Sequence, residues 1–150
     1  MKGKILFSTL SLMFCLLFVP DLKVSAGKVK EQVVYEEKLT DEEFRQLLEE
    51  AISDTYASVL TTKTLVNWTV KANSRKTTLF AYQPKNTSVS IGFKLSRTGW
   101  AGIIGGDGVV HYIPGTSIYY SFNIDKAQNY LVFVQNNSNA ALTATGYYIR

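Results

Sequence analysis

The stretch Thr87–Leu95, "TSVSIGFKL", decides the fold: Val89, Ile91, Phe93 and Leu95 alternate strictly with Ser88, Ser90, Gly92 and Lys94. Successive side chains of an extended chain point to opposite faces, so this pattern makes a strand with one apolar side and one polar side. The same period runs outward in both directions. Towards the N-terminus, "LVNWTVKA" (Leu65–Ala72) puts Val66, Trp68, Val70 and Ala72 together. Towards the C-terminus, "TSIYYSFNI" (Thr116–Ile124) does the same with Ile118, Tyr120, Phe122 and Ile124, and "NYLVFVQ" and "ALTATGYYI" follow. Between these runs lie clusters rich in turn formers: "KANSRK", "QPKNTS", "SRTG", "IPGTS", "NIDKAQN" and "QNNSNA". About seven or eight short strands at roughly ten-residue spacing predict a mainly β domain over residues 63–150, an antiparallel, jelly-roll-like β-sandwich.

The glycine-rich segment "GGDGVVHY" (Gly105–Tyr112) falls between two short β-favouring runs, "WAGII" and "VVHYI". A phosphate loop would be followed by a helix start, and here a strand pattern follows. Asp-Gly is a preferred pair in tight hairpins, so the segment reads as a turn.

Upstream the period is that of a helix. In "LTDEEFRQLLEEAI", Thr40 and Glu43 have capping-box spacing, and Leu39 and Phe44 are placed for a hydrophobic staple. Asp41, Glu42 and Glu43 suit the positive end of a helix dipole. Phe44, Leu47, Leu48, Ala51 and Ile52 form an apolar stripe over a helix at about 41–53, expected as the one N-terminal helix ahead of the β domain. That stripe would dock on the sheet, bind a partner or belong to a removable pro-segment.

Residues 1–26 carry Lys2 and Lys4, then the apolar run Ile5–Val19, then "VSA" ending at Ala26. This is the pattern of a secretory signal peptide cleaved near Ala26, and a run of about 15 residues is short for a membrane span. Phe14 before Cys15 does not fit a lipid-attachment signal. Cleavage would remove Cys15, the single cysteine, and with it disulfides and thiolate chemistry. An acidic lead over 27–62 and the β domain would make up a secreted, extracellular protein. Charge is divided between them: Gly27–Asp54 holds nine acids against four bases, and Thr55–Arg150 holds nine bases against two acids. Such asymmetry implies two mutually attracting surfaces or a basic face for an anionic partner.

The inventory for catalysis is thin. His111 is the only histidine, Asp107 and Asp125 are the only acids after Asp54, and no serine stands in a nucleophile-elbow context. No paired carboxylates, metal ligands or cofactor motif are expected, and the protein reads as non-enzymatic. Binding residues are easier to nominate. Adjacent tyrosines at 119–120 and 147–148 face opposite ways in a strand, so one of each pair points outward. Tyr119, Tyr147 and Trp100 (read here as part of a Gly-flanked loop), with Lys71, Arg75, Lys76, Lys94 and Arg97, would form a basic, aromatic contact face. It suits an anionic cell-wall polymer, a polysaccharide or a lipid surface, and nucleic acid is not expected.

The run "IPGTSIYYSFNI…NYLVFVQNNSNAALTATGYYI" resembles the second half of small bacterial secreted β-sandwich modules of the pre-peptidase C-terminal type. The likeness lies in the Pro114-Gly115 turn into a tyrosine-rich strand and a closing strand ending in tyrosine, and it spans about Leu65–Ile149. It implies a sandwich with an accessory, non-catalytic role. Such modules are usually attached to an enzyme, whereas none is present here, and the clustered acids with which some bind calcium are missing. The functional expectation is a protein binding an envelope or extracellular-matrix component; the alternative is a secreted membrane-active toxin or antimicrobial protein. A Gram-positive bacterium is the expected source.

Overall fold

A computed structural model describes residues 32–54 and 63–150; the expected signal peptide, residues 1–26, lies outside the described residues. Among the described residues, seven strands and one helix follow in the order β1 (Tyr35–Lys38), α1 (Asp41–Asp54), β2 (Lys63–Val70), β3 (Ser74–Gln83), β4 (Ser88–Gly105), β5 (Val109–Asn123), β6 (Gln128–Asn136) and β7 (Leu142–Ile149). The chain is mainly β, and every strand pairing is antiparallel.

The organising element is longer than the periodicity suggests. "TSVSIGFKL" and "WAGII" are not two strands but parts of the 18-residue β4, and "VVHYI" and "TSIYYSFNI" are parts of the 15-residue β5. The clusters "SRTG" and "IPGTS" lie opposite one another inside this hairpin. From Lys94↔Ser117 to Gly99↔Gly115, β4 advances five residues while β5 moves two. Surplus residues on one strand bend a ladder without ending it. At that bend the other side of β4 changes neighbour: Ser90–Leu95 pairs with β7, and Trp100–Gly105 pairs with β6. β2 extends the β7 side, β3 extends the β6 side, and β1 pairs with β5.

One face of β4 supplies core along its whole length. Val89, Ile91, Phe93, Leu95, Ala101 and Ile103 join Val66 and Val70 of β2, Val132 and Val134 of β6, and Leu142 and Ala144 of β7 in a single buried cluster. The opposite face divides. Over its second half, Ile104, Val110, Leu131 and Phe133 form another cluster with Ala51, onto which Leu39, Phe44, Leu47 and Leu48 pack. The unbroken apolar run of β6 follows from this, since Leu131 and Phe133 lie under the helix while Val132 and Val134 face the main core. Strands covered on both faces lose their alternation.

The helix is therefore packed on the sheet. Its capping box is formed: the Thr40 amide donates to Glu43 Oε2 at 2.9 Å and the Glu43 amide donates to Thr40 Oγ1 at 3.3 Å. Those bonds from the Thr40 amide and hydroxyl hold the Glu43 carboxyl below its ordinary pKa. Two expectations need correction. The helix is not the first element, because β1 precedes it and joins the sheet, and Gln32–Arg150 form one compact unit. Ile52 lies outside the packed stripe at 53% exposure, one position further round the helix than Ala51. The glycine segment is the expected turn: the Gly108 amide donates to the Gly105 carbonyl at 2.9 Å, and Gly108 takes a φ of 79°, where a side chain would be strained.

Asn136 ties two turns together. Completely buried, its Nδ2 donates to the carbonyls of Val70, Lys71 and Ala140, while Oδ1 accepts from the amide and hydroxyl of Ser138.

Candidate functional site

Over the first half of β4 the outward face is not part of either buried cluster, and its centre is Gly92. Cross-strand register sets Leu65 of β2, Tyr147 of β7, Gly92 of β4 and Tyr119 of β5 in one row. A Cβ on Gly92 would lie 2.7 Å from Tyr147 Cε1 and Cζ and 3.0 Å from Tyr119 Cδ1. The two rings therefore roof the glycine from either side, and only the missing side chain lets them settle there. Tyr119 is 48% exposed and Leu65 79% exposed, so the row faces solvent. Their sequence neighbours go the other way: Tyr148 is buried, and Tyr120 packs against the core and tilts onto Phe122.

Two mostly polar rows border the aromatic one. On one side Lys63, Ile149, Ser90 and Ser121 are in register, with Ser90 Oγ donating to Ser121 Oγ at 3.0 Å. On the other stand Asn67, Thr145, Lys94 and Ser117. The Lys63 ammonium sits 4.4 Å from the centroid of the Tyr147 ring, a cation–π contact. These rows contain no carboxylate.

Further along the same face, Trp100 stacks on Tyr112 at 4.4 Å between centroids, and Tyr112 stacks on Tyr35 at 5.6 Å. Trp100 thus lies within β4 and not in a loop, half-buried against the cluster beneath the helix. Its Gly neighbours misled because they mark the bend and close backbone approach, not a break in the strand.

The eight nominated residues do not form one site. Tyr119, Tyr147 and Lys94 come together, Trp100 lies beyond the bend, and Arg97 is exposed within it. Lys71, Arg75 and Lys76 line a separate cleft with Glu50, Thr69 and Thr77. Arg75 has internal partners: its guanidinium donates to Glu37 at 2.8 Å and to Gln135, and lies 4.7 Å from the Phe133 ring centroid. Sequence reasoning missed Gly92, Leu65 and Lys63. The signal for Gly92 was present, because a glycine inside a strict alternation marks a place where something approaches the backbone closely.

His111 and Asp107 line one polar cleft with Glu36, Asp125, Lys126, Gln128 and Tyr130, and among the described residues no serine, threonine or cysteine lines it. Asp107 accepts from the Val109 amide at 3.2 Å and from Lys126 Nζ at 2.8 Å. Burial works to raise the Asp107 pKa, but the bonds from Lys126, Val109 and Gln128 together hold it below the ordinary value. The bond to Asp107 raises Lys126 in turn, and burial raises Tyr130. His111 Nδ1 lies 3.6 Å from Glu36 Oε2. The charged groups are thus mostly matched with one another. Among the described residues no three His, Cys, Asp or Glu side chains converge as a metal site, and no helix is long and apolar enough to cross a membrane.

No protein family, characterised protein or solved structure matches the chain.

Proposed function

We propose that this is a small, exported, non-enzymatic protein of bacterial origin that binds an envelope or extracellular-matrix component through the outward face of β4. The observation that carries the reading is the pair of tyrosines resting side by side on Gly92, Tyr119 exposed and Tyr147 half-buried, on a strand face between two mostly polar rows. Among the described residues in these rows Lys63 and Lys94 carry the charge, giving the face a positive sign compatible with anionic wall polymers. Export rests on the leader pattern of residues 1–26. The bent β4–β5 hairpin, with the inner faces of both halves on one cluster, supports reading the fold as a jelly-roll-like sandwich.

Sedimentation with purified Gram-positive cell walls tests the function. Binding that weakens from low to physiological salt is expected. A chain that stays in the supernatant at every ionic strength refutes the reading.

A further inference from the structure

Resting on that reading, we infer that the ligand is a polysaccharide chain whose pyranose rings stack on Tyr119 and Tyr147, with the flanking hydroxyl and amide side chains holding the sugar edges. A pyranose ring has faces of C–H groups and a rim of hydroxyls. The faces pack on aromatic carbon, and the rim needs hydrogen-bond partners on both sides. The outward face of β4 offers these in that order: an aromatic row at the centre, Ser90 and Ser121 on one side, Asn67, Thr145 and Ser117 on the other. The row from Leu65 to Tyr119 crosses four strands and so runs roughly 14 Å, enough for a short run of linked sugars.

Other occupants fit less well. A protein partner wants an apolar centre larger than Leu65, two tyrosines and the bordering Ile149, and the mostly polar rows begin two residues along each strand on either side. A lipid surface would have to desolvate those rows without supplying enough donors and acceptors for them. A purely electrostatic ligand is poorly served by two lysines, one of which already sits on the Tyr147 ring. Charge then assists a phosphate- or carboxylate-bearing glycan and is not required for a neutral one.

The test compares three probes: intact Gram-positive cell walls, the same walls stripped of phosphate polymers by acid, and vesicles containing phosphatidylglycerol. The chain is used as secreted by its expression host. Tyr119→Ala and Tyr147→Leu, the latter keeping Gly92 covered, are compared with the double variant Lys63→Ala/Lys94→Ala, and circular dichroism melts verify that each is folded. Stripped walls are expected to retain the protein, with affinity falling about tenfold or more in the tyrosine variants and only a few-fold in the lysine variant. Loss of binding on stripping, tyrosine variants that bind as tightly as the parent, or capture by vesicles alone overturns the glycan assignment. Binding to intact walls then leaves the broader reading standing. Failure to bind intact walls removes both.

Discussion

Asn136 offers the sharpest test of how the β2–β3 and β6–β7 turns are held together. Its replacement by Ala removes three bonds to the carbonyls of Val70, Lys71 and Ala140 and two from Ser138, all around a side chain with no exposure. A buried polar group left without its partner costs about 1–3 kcal/mol. Water can reach some of the freed groups at the turns, so a loss of about 3 kcal/mol is expected for Asn136→Ala. For a domain of this size that corresponds to a fall in Tm of roughly 10–15 °C. Asn136→Asp adds a pH signature. Its carboxylate would face three carbonyl oxygens, so the folded state favours the neutral acid and raises its pKa above the unfolded value of about 3.9. Between those two values the folded chain carries one more proton than the unfolded chain. Stability relative to the parent therefore falls as pH rises, by about 1.4 kcal/mol per unit. Thermal melts followed by circular dichroism from pH 4 to 8 read both effects. An Ala variant within 1 kcal/mol of the parent, or an Asp variant whose deficit does not grow with pH, refutes the buried network.

Four further outcomes follow from the structure. Gly92→Val should displace both tyrosine rings from the sheet, lowering wall binding several-fold while the melt stays near that of the parent, because the colliding atoms are ring atoms of side chains on the solvent-facing side and not backbone. Asp107, held below its ordinary value of 3.8, contributes stability that is present above that value and lost as pH falls through the lower folded pKa. Asp107→Asn should flatten that acid limb by less than about 1 kcal/mol, since Lys126 is solvated. Arg75→Ala breaks the contacts to Glu37, Gln135 and Phe133, and a loss of about 1–2 kcal/mol is expected, with faster hydrogen exchange in β1. Arg45→Ala breaks only an exposed helix-surface pair with Glu42, and a change below about 0.5 kcal/mol is expected.

The sequence made some features legible because their causes are local. The capping box at Thr40 and Glu43 depends on residues three apart, and the turn at Gly105–Gly108 depends on four consecutive residues. Period-two runs mark strands wherever one face is buried and the other is wet, as in Ser88–Leu95. What was not legible depends on partners distant in the chain. "SRTG" has the composition of a turn, but it meets "IPGTS" across the hairpin, and together they bend two long strands that continue past them. The tyrosine platform needed the register of four strands, since nothing in the order of residues says that Tyr119 and Tyr147 meet over Gly92. Trp100 carried an aromatic signal of the right kind, but the adjacent Tyr112 and the helix decide how much of it remains open.

The charge division of the sequence has its explanation in the same contacts. An acidic lead followed by a basic domain admits two readings: surfaces that attract each other, or a basic face left for a ligand. Glu37 reaches Arg75, Glu36 approaches His111, and Glu50 lines the cleft that holds Lys71, Arg75 and Lys76. The first reading therefore describes the half of the sheet that carries β1 and α1, where the acids of the lead meet the basic residues nominated for a partner. The second can apply only where the described acids of the lead do not reach. Lys63 and Lys94 stand there, on either side of the tyrosine row and with no carboxylate in register beside them. Under the proposed function, the cations placed for a ligand are the two that flank aromatic rings, whereas Arg75, from the larger basic cluster, holds Glu37 of the chain's own acidic segment to the sheet.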